Sequence, residues 1–100
     1  MKLLNQLCIG LLALSSTQVM AAGDITAGKE KSSVCASCHG GKGISLNPLW
    51  PNLAGQKQGY IAKQLHDFQS GKRKDPMMSA MAKPLSDQDI KDLAAYYASL

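Results

Sequence analysis

Cys35-Ala36-Ser37-Cys38-His39 is the stretch from which the rest of this chain is read. Two thiols three positions apart sit about one helical turn from each other, and an imidazole follows directly on the second. That spacing suits a covalently attached haem. Each thiol can form a thioether with one vinyl group, and the residue after the second cysteine is then held beneath the iron, where a ring nitrogen can ligate it. Three other chemistries use the same residue types. A thioredoxin-like dithiol needs a βαβ setting, and no run here alternates convincingly with period two. Zinc could draw on Cys35, Cys38, His39 and His66. Adjacent Cys and His rarely both reach one tetrahedral ion, however, and the zinc-finger spacing is absent. A Cys35–Cys38 disulfide would close too small a loop to stabilise a fold. The motif therefore points to one covalently held haem.

Upstream of it, the chain opens as a secretory signal peptide does. Lys2 gives a positive start, Leu3 to Leu14 is mostly apolar, and a small, polar tail ends Val19-Met20-Ala21. Cleavage is expected after Ala21. The apolar run is short of the roughly 20 residues a spanning helix needs, which argues against a membrane anchor. Cys8 stands at the front of the run rather than at its end, so it does not read as a lipoprotein cysteine and should leave with the signal. Export fits the motif, because thioether attachment takes place on the outer side of the bacterial membrane. The expected location is the periplasm.

Residues 22–100 then form one domain of 79 residues, with ten Lys and Arg against seven Asp and Glu. Removal of Lys2 takes the net charge from +4 to +3. A domain this small buries a limited core and usually needs a staple. Cys35 and Cys38 are the only cysteines left to it, so the stabiliser must be something larger that they hold.

Three helical segments are expected. The first starts at Asp24, a good N-cap, and runs toward Cys35. The second spans about Lys57 to Ser70 and stops at Gly71, with Ile61, Leu65 and Phe68 at i, i+4 and i+7. The third begins at Ser86, with Asp89 in the capping-box position, and carries Ile90, Leu93, Ala94 and Tyr97 on one stripe. The class is all-α. Two long connections separate the helices, Gly40 to Gly55 and Gly71 to Pro84. Loops of this length in a compact domain are usually functional. Their apolar residues, among them Leu46, Leu49, Trp50 and three methionines, need a surface to pack on, and a flat apolar cofactor supplies one.

The second connection holds the candidates for the iron's other face: Met77, Met78 and Met81. A thioether there gives a six-coordinate site that resists added ligands and raises the reduction potential. Spacing alone does not choose among the three. His66 lies off the Ile61–Leu65–Phe68 face and reads as a solvated helix residue rather than an axial ligand.

Taken in order, Gly23-Asp24 with Gly28, the Cys35–His39 motif, Pro51-Asn52-Leu53, the methionine segment and Leu93 to Tyr97 resemble class I cytochromes c. The likeness is closer to small bacterial monohaem cytochromes of the c-553 type. Asn52-Leu53-Ala54-Gly55-Gln56, Lys63-Gln64-Leu65 and Leu85-Ser86-Asp87 also resemble either half of dihaem cytochromes of the c4 type. The resemblance covers nearly all of residues 23–100. It implies the class I fold, three main helices plus loops wrapped around one covalently bound haem c. It makes Cys35 and Cys38 the thioether anchors and His39 the proximal ligand. Counted back from Leu85-Ser86, it puts the distal ligand on Met78, with Met81 the alternative. Pro51 matches a proline whose carbonyl accepts the Nδ1 hydrogen bond of the ligating histidine. Gly28 and Tyr96 match a close contact of first and last helices, although periodicity alone favours Tyr97. One attachment motif in a chain ending at Leu100 leads us to expect a monohaem protein rather than a complete dihaem one.

The function implied is single-electron transfer, with Fe(II) and Fe(III) alternating between redox partners of a respiratory or related chain. No enzymatic activity is expected. A gas sensor needs an open sixth position, against the methionine segment; a peroxidase needs acid–base groups beside an open iron, and the chain offers only His66. Lys72, Arg73 and Lys74 form the one charge run, with Lys42 and Lys57 nearby in sequence. Such a run suits an acidic docking patch on a redox protein, speeding encounter more than it tightens binding. Docking on a membrane redox complex is compatible with it. Nucleic acid is not an expected partner, and a monomer is the expected state.

Overall fold

The computed structural model describes residues 9–13 and 22–100. Most of the expected signal peptide, and the expected cleavage position at Ala21, lie outside the described residues. Residues 9–13 are exposed and take no regular structure. No helix among the described residues is long and apolar enough to cross a membrane.

Five helices and no strand make up the described chain: α1 (Ile25–Lys31), α2 (Ser33–His39), α3 (Gln58–Ser70), α4 (Pro76–Ala82) and α5 (Asp87–Ala98). The all-α class I fold is present, with two differences of detail. The first expected helix is two helices. Ser32 interrupts it, its hydroxyl donating 2.7 Å to the Lys29 carbonyl, a local bond that competes with the helical ladder. The second part runs on through the cysteine motif to His39. The connection Gly71 to Pro84 also contains α4. Asp75 accepts the main-chain N–H of Met77 and of Met78, each at 2.9 Å, and Pro76 occupies the first turn, where its missing N–H costs nothing. Asp-Pro is thus a helix start here rather than a bend.

The core lies along α5. Ile61 of α3 packs with Leu93, Ala94, Tyr96 and Tyr97, and Cys35, Leu53, Leu65 and Leu85 lean on that cluster. Helix α5 is capped as its sequence suggests: Ser86 accepts from Asp89 N at 3.0 Å and Asp89 accepts from Ser86 N at 2.9 Å. Helices α1 and α5 approach so closely that a Cβ on Gly28 would lie 2.0 Å from the Asp92 carbonyl oxygen and 2.7 Å from Tyr96 Cβ. Only glycine fits, since backbone on the far side cannot move aside. Both tyrosines are buried; it is Tyr96 that faces Gly28, as the family resemblance implied and periodicity did not.

The same contact is pinned by charge. Asp92, 3 % exposed, accepts from Lys31 Nζ at 2.6 Å, and from Asp24 N and Gln88 Nε2 at 2.8 Å each. The Lys31 hydrogen bond first, then those from Asp24 and Gln88, hold its carboxyl at about 2 against an ordinary 3.8. A carboxyl whose folded pKa is depressed adds stability that is complete above its ordinary pKa and is lost as the pH falls through the folded one. Acid should therefore weaken the α1–α5 contact between about pH 4 and pH 2. Thermal unfolding midpoints across that range should fall less steeply for Asp92→Asn than for the parent, and the variant should be the less stable at neutral pH. Parallel slopes would remove Asp92 from the account.

Candidate haem site

The attachment motif occupies the last turns of α2, so Cys35, Cys38 and His39 share one short helical segment. Both cysteines are free and half-buried. Gly40 follows with φ 84°, and a Cβ there would meet the Ile44 carbonyl oxygen at 1.9 Å; the chain can reverse directly after His39 only because no side chain stands at that point. The loop it enters is closed by its own main chain. The Gly43 carbonyl accepts from Leu53 N at 2.8 Å and Ala54 N at 3.0 Å, and Asn52 Oδ1 accepts from Ser45 N at 2.7 Å. Gly55 N then donates 2.9 Å to the Tyr97 carbonyl, fastening the loop to α5.

The closure brings Pro51 to the imidazole. His39 is 6 % exposed, and its Nδ1 lies 2.8 Å from the Pro51 carbonyl oxygen. A carbonyl only accepts, so Nδ1 is the donor, and in the neutral imidazole Nε2 is the nitrogen with the lone pair. The ring is thus oriented and chemically set up as a ligand through Nε2.

In the two connections, large apolar side chains lack the cover a small core needs. Leu46 is fully exposed, Leu49 85 %, Met77 55 % and Met81 42 %; Trp50, Leu46 and Asn47 border an open cleft of about 230 Å³ beside Cys38. The Tyr97 hydroxyl is buried beside the Cys35 thiol and the Ser32 side chain, with no partner in good hydrogen-bonding geometry. Burial first, and the neighbouring Cys35 thiol second, push its pKa upward; burial likewise raises that of Cys35. Two free thiols, a free imidazole nitrogen, an apolar rim and one unpaired buried hydroxyl are what a flat, largely apolar, thioether-linked group would complete. The residues present fit a haem.

Met78 is half-buried on α4, while Met77 and Met81 are exposed. His66 is exposed on α3. The charge run is divided. Lys72, Arg73 and Lys74 are all exposed, but the Arg73 side chain lies along α3: its guanidinium is 4.7 Å from the Phe68 ring centroid and donates 2.8 Å to Gln64 Oε1. Gln69 was not singled out by its sequence, yet its side chain donates to the Ala82 and Leu85 carbonyls at 2.9 and 2.7 Å. The signal was present: a polar residue four positions after Leu65, on the apolar stripe of α3.

A helical chain with paired cysteines, a following histidine oriented by a carbonyl, and a methionine-bearing helix defines a c-type haem protein. The chain belongs to the cytochrome c family, whose model matches residues 25–100, and it carries one covalently bound haem c. It is 47 % identical over 98 residues to cytochrome c4 of Pseudomonas aeruginosa, a match covering 96 % of this chain and 49 % of that protein. It is 44 % identical over 81 residues to cytochrome c-554(548) of Halomonas halodenitrificans, covering 78 % of this chain and 98 % of that one. The crystal structure of reduced recombinant cytochrome c4 from Pseudomonas stutzeri matches with a TM-score of 0.74 at 46 % identity, over 78 % of this chain and 46 % of the other. The chain thus spans about half the length of the cytochrome c4 relatives.

Proposed function

We propose that this cytochrome is a periplasmic single-electron carrier working between redox partners of a respiratory or related chain. Cys35 and Cys38 would hold the haem as thioethers, His39 would ligate the iron through Nε2 with Pro51 orienting the ring, and Met78 would supply the second protein ligand. The bound group supplies a one-electron Fe(II)/Fe(III) couple. The observation that carries this reading is the buried His39 ring, tied at Nδ1 to Pro51 and free at Nε2, one residue from a free cysteine. Two ligands supplied by the chain leave no position for a substrate, which favours electron exchange over bond chemistry. Visible spectra of the holoprotein in both oxidation states, with and without carbon monoxide, test it. A ferrous spectrum unchanged by carbon monoxide is expected; ready binding would favour a sensor.

Lys72 and Lys74, exposed after the Gly71 end of α3, are suited to meet an acidic patch on a partner protein. Reversing both to Glu should slow electron exchange with such a partner several-fold at low salt. The difference should shrink as added salt cuts the screening length from about 30 Å at 0.01 M to about 8 Å at 0.15 M. Equal rates for parent and variant across that range would remove the two lysines from docking.

A further inference from the structure

Helix α4 carries all three methionines, and among the described residues it packs against α3 and no other helix. What holds it there is unusually explicit. At its C-terminal end, the part-buried Gln69 side chain of α3 donates to Ala82 O, the last carbonyl of α4, at 2.9 Å and to Leu85 O, just beyond the helix, at 2.7 Å, while Ala82 O also accepts from Leu85 N at 3.1 Å. Ahead of its N-terminal end, Arg73 N donates 3.1 Å to Asp67 O, and the Arg73 side chain is engaged by Gln64 and the buried Phe68 ring. The segment 73–85 is therefore stapled to α3 on both sides of Met78.

We infer that Gln69 and Arg73 are positioning residues for the distal ligand, a two-point clamp from α3 that sets how often Met78 leaves the iron. The inference rests on the assignment of Met78 above. Neither side chain hydrogen-bonds to Cys35, Cys38, His39 or Met78; each acts by fixing the backbone that carries a ligand. Arg73 thereby has a different role from Lys72 and Lys74, although the three are consecutive.

The test is the rate at which imidazole binds the ferric holoprotein, because an added ligand must wait for the sulfur to leave. Gln69→Glu keeps the side chain's size but removes both N–H donors and sets a carboxylate against two carbonyl oxygens. It should speed imidazole binding about tenfold or more, with the sulfur-to-iron band still present in its absence. Arg73→Leu should do so independently, which guards against poor folding of either variant. Placed in a Met78→Ala background, neither change should alter imidazole binding, since no sulfur remains to be released. A general loosening of the fold would accelerate binding there too, and that result overturns the clamp. Parental rates in both single variants also overturn it while leaving Met78 as ligand. Survival of the band in Met78→Ala overturns the ligand assignment and the clamp together.

Discussion

Replacing both Cys35 and Cys38 by alanine should yield a chain with no attached haem that fails to hold its helices together. The protein part of the core explains why. Ile90 and Leu93 are the largest side chains buried to below 2 % exposure, while Leu46, Leu49, Met77 and Met81 stand open. A domain of this size with so few large buried side chains is short of the apolar burial that offsets chain entropy. Ligand binding to the folded state alone adds stability by mass action, and a covalent haem adds it without dissociating. Haem staining together with far-ultraviolet circular dichroism of the exported protein would report the result. Each single variant should keep one thioether at most. Recovery of a helical, cooperatively melting, haem-free protein from the double variant would contradict the architecture proposed here.

Met78→Ala should lower the reduction potential, abolish the weak sulfur-to-iron absorption band of the ferric state and open the iron to carbon monoxide. Among the three methionines only Met78 is half-buried, Met77 and Met81 being exposed. Met77→Ala and Met81→Ala should keep the band. Those side chains are 55 % and 42 % exposed, so their truncation should cost roughly 1 kcal/mol, below the 2–5 typical of a fully buried methionine. Loss of the band in Met81→Ala instead would move the assignment by one turn and leave the electron carrier intact. If the parent protein itself shows no such band, the sixth ligand is not a methionine and a haem sensor becomes the better reading.

Much of this protein was legible one segment at a time. The Cys35–His39 spacing specifies its chemistry because helical pitch and the reach of two thiols are local quantities. Asp24, Ser86 and Asp89 announce helix starts for the same reason: a cap is satisfied within four residues. Asp75-Pro76 is an equally local start, its cap and first-turn proline opening α4 inside the segment 71–84 expected as a connection. What required the tertiary structure is each relation between segments distant in the chain. Family resemblance aside, Gly28 looks like any helix glycine until the Asp92 carbonyl oxygen of α5 is brought within 2.0 Å of its absent Cβ. Asp92 looks like a surface acid until Lys31 and Asp24, far away in sequence, close on it. Gln69 and Arg73 look solvated until the chain after Gly71 folds back along α3. Local spacing decides which atoms the motif presents; only packing decides what holds them, because those partners are chosen by the approach of whole helices rather than by neighbours along the chain.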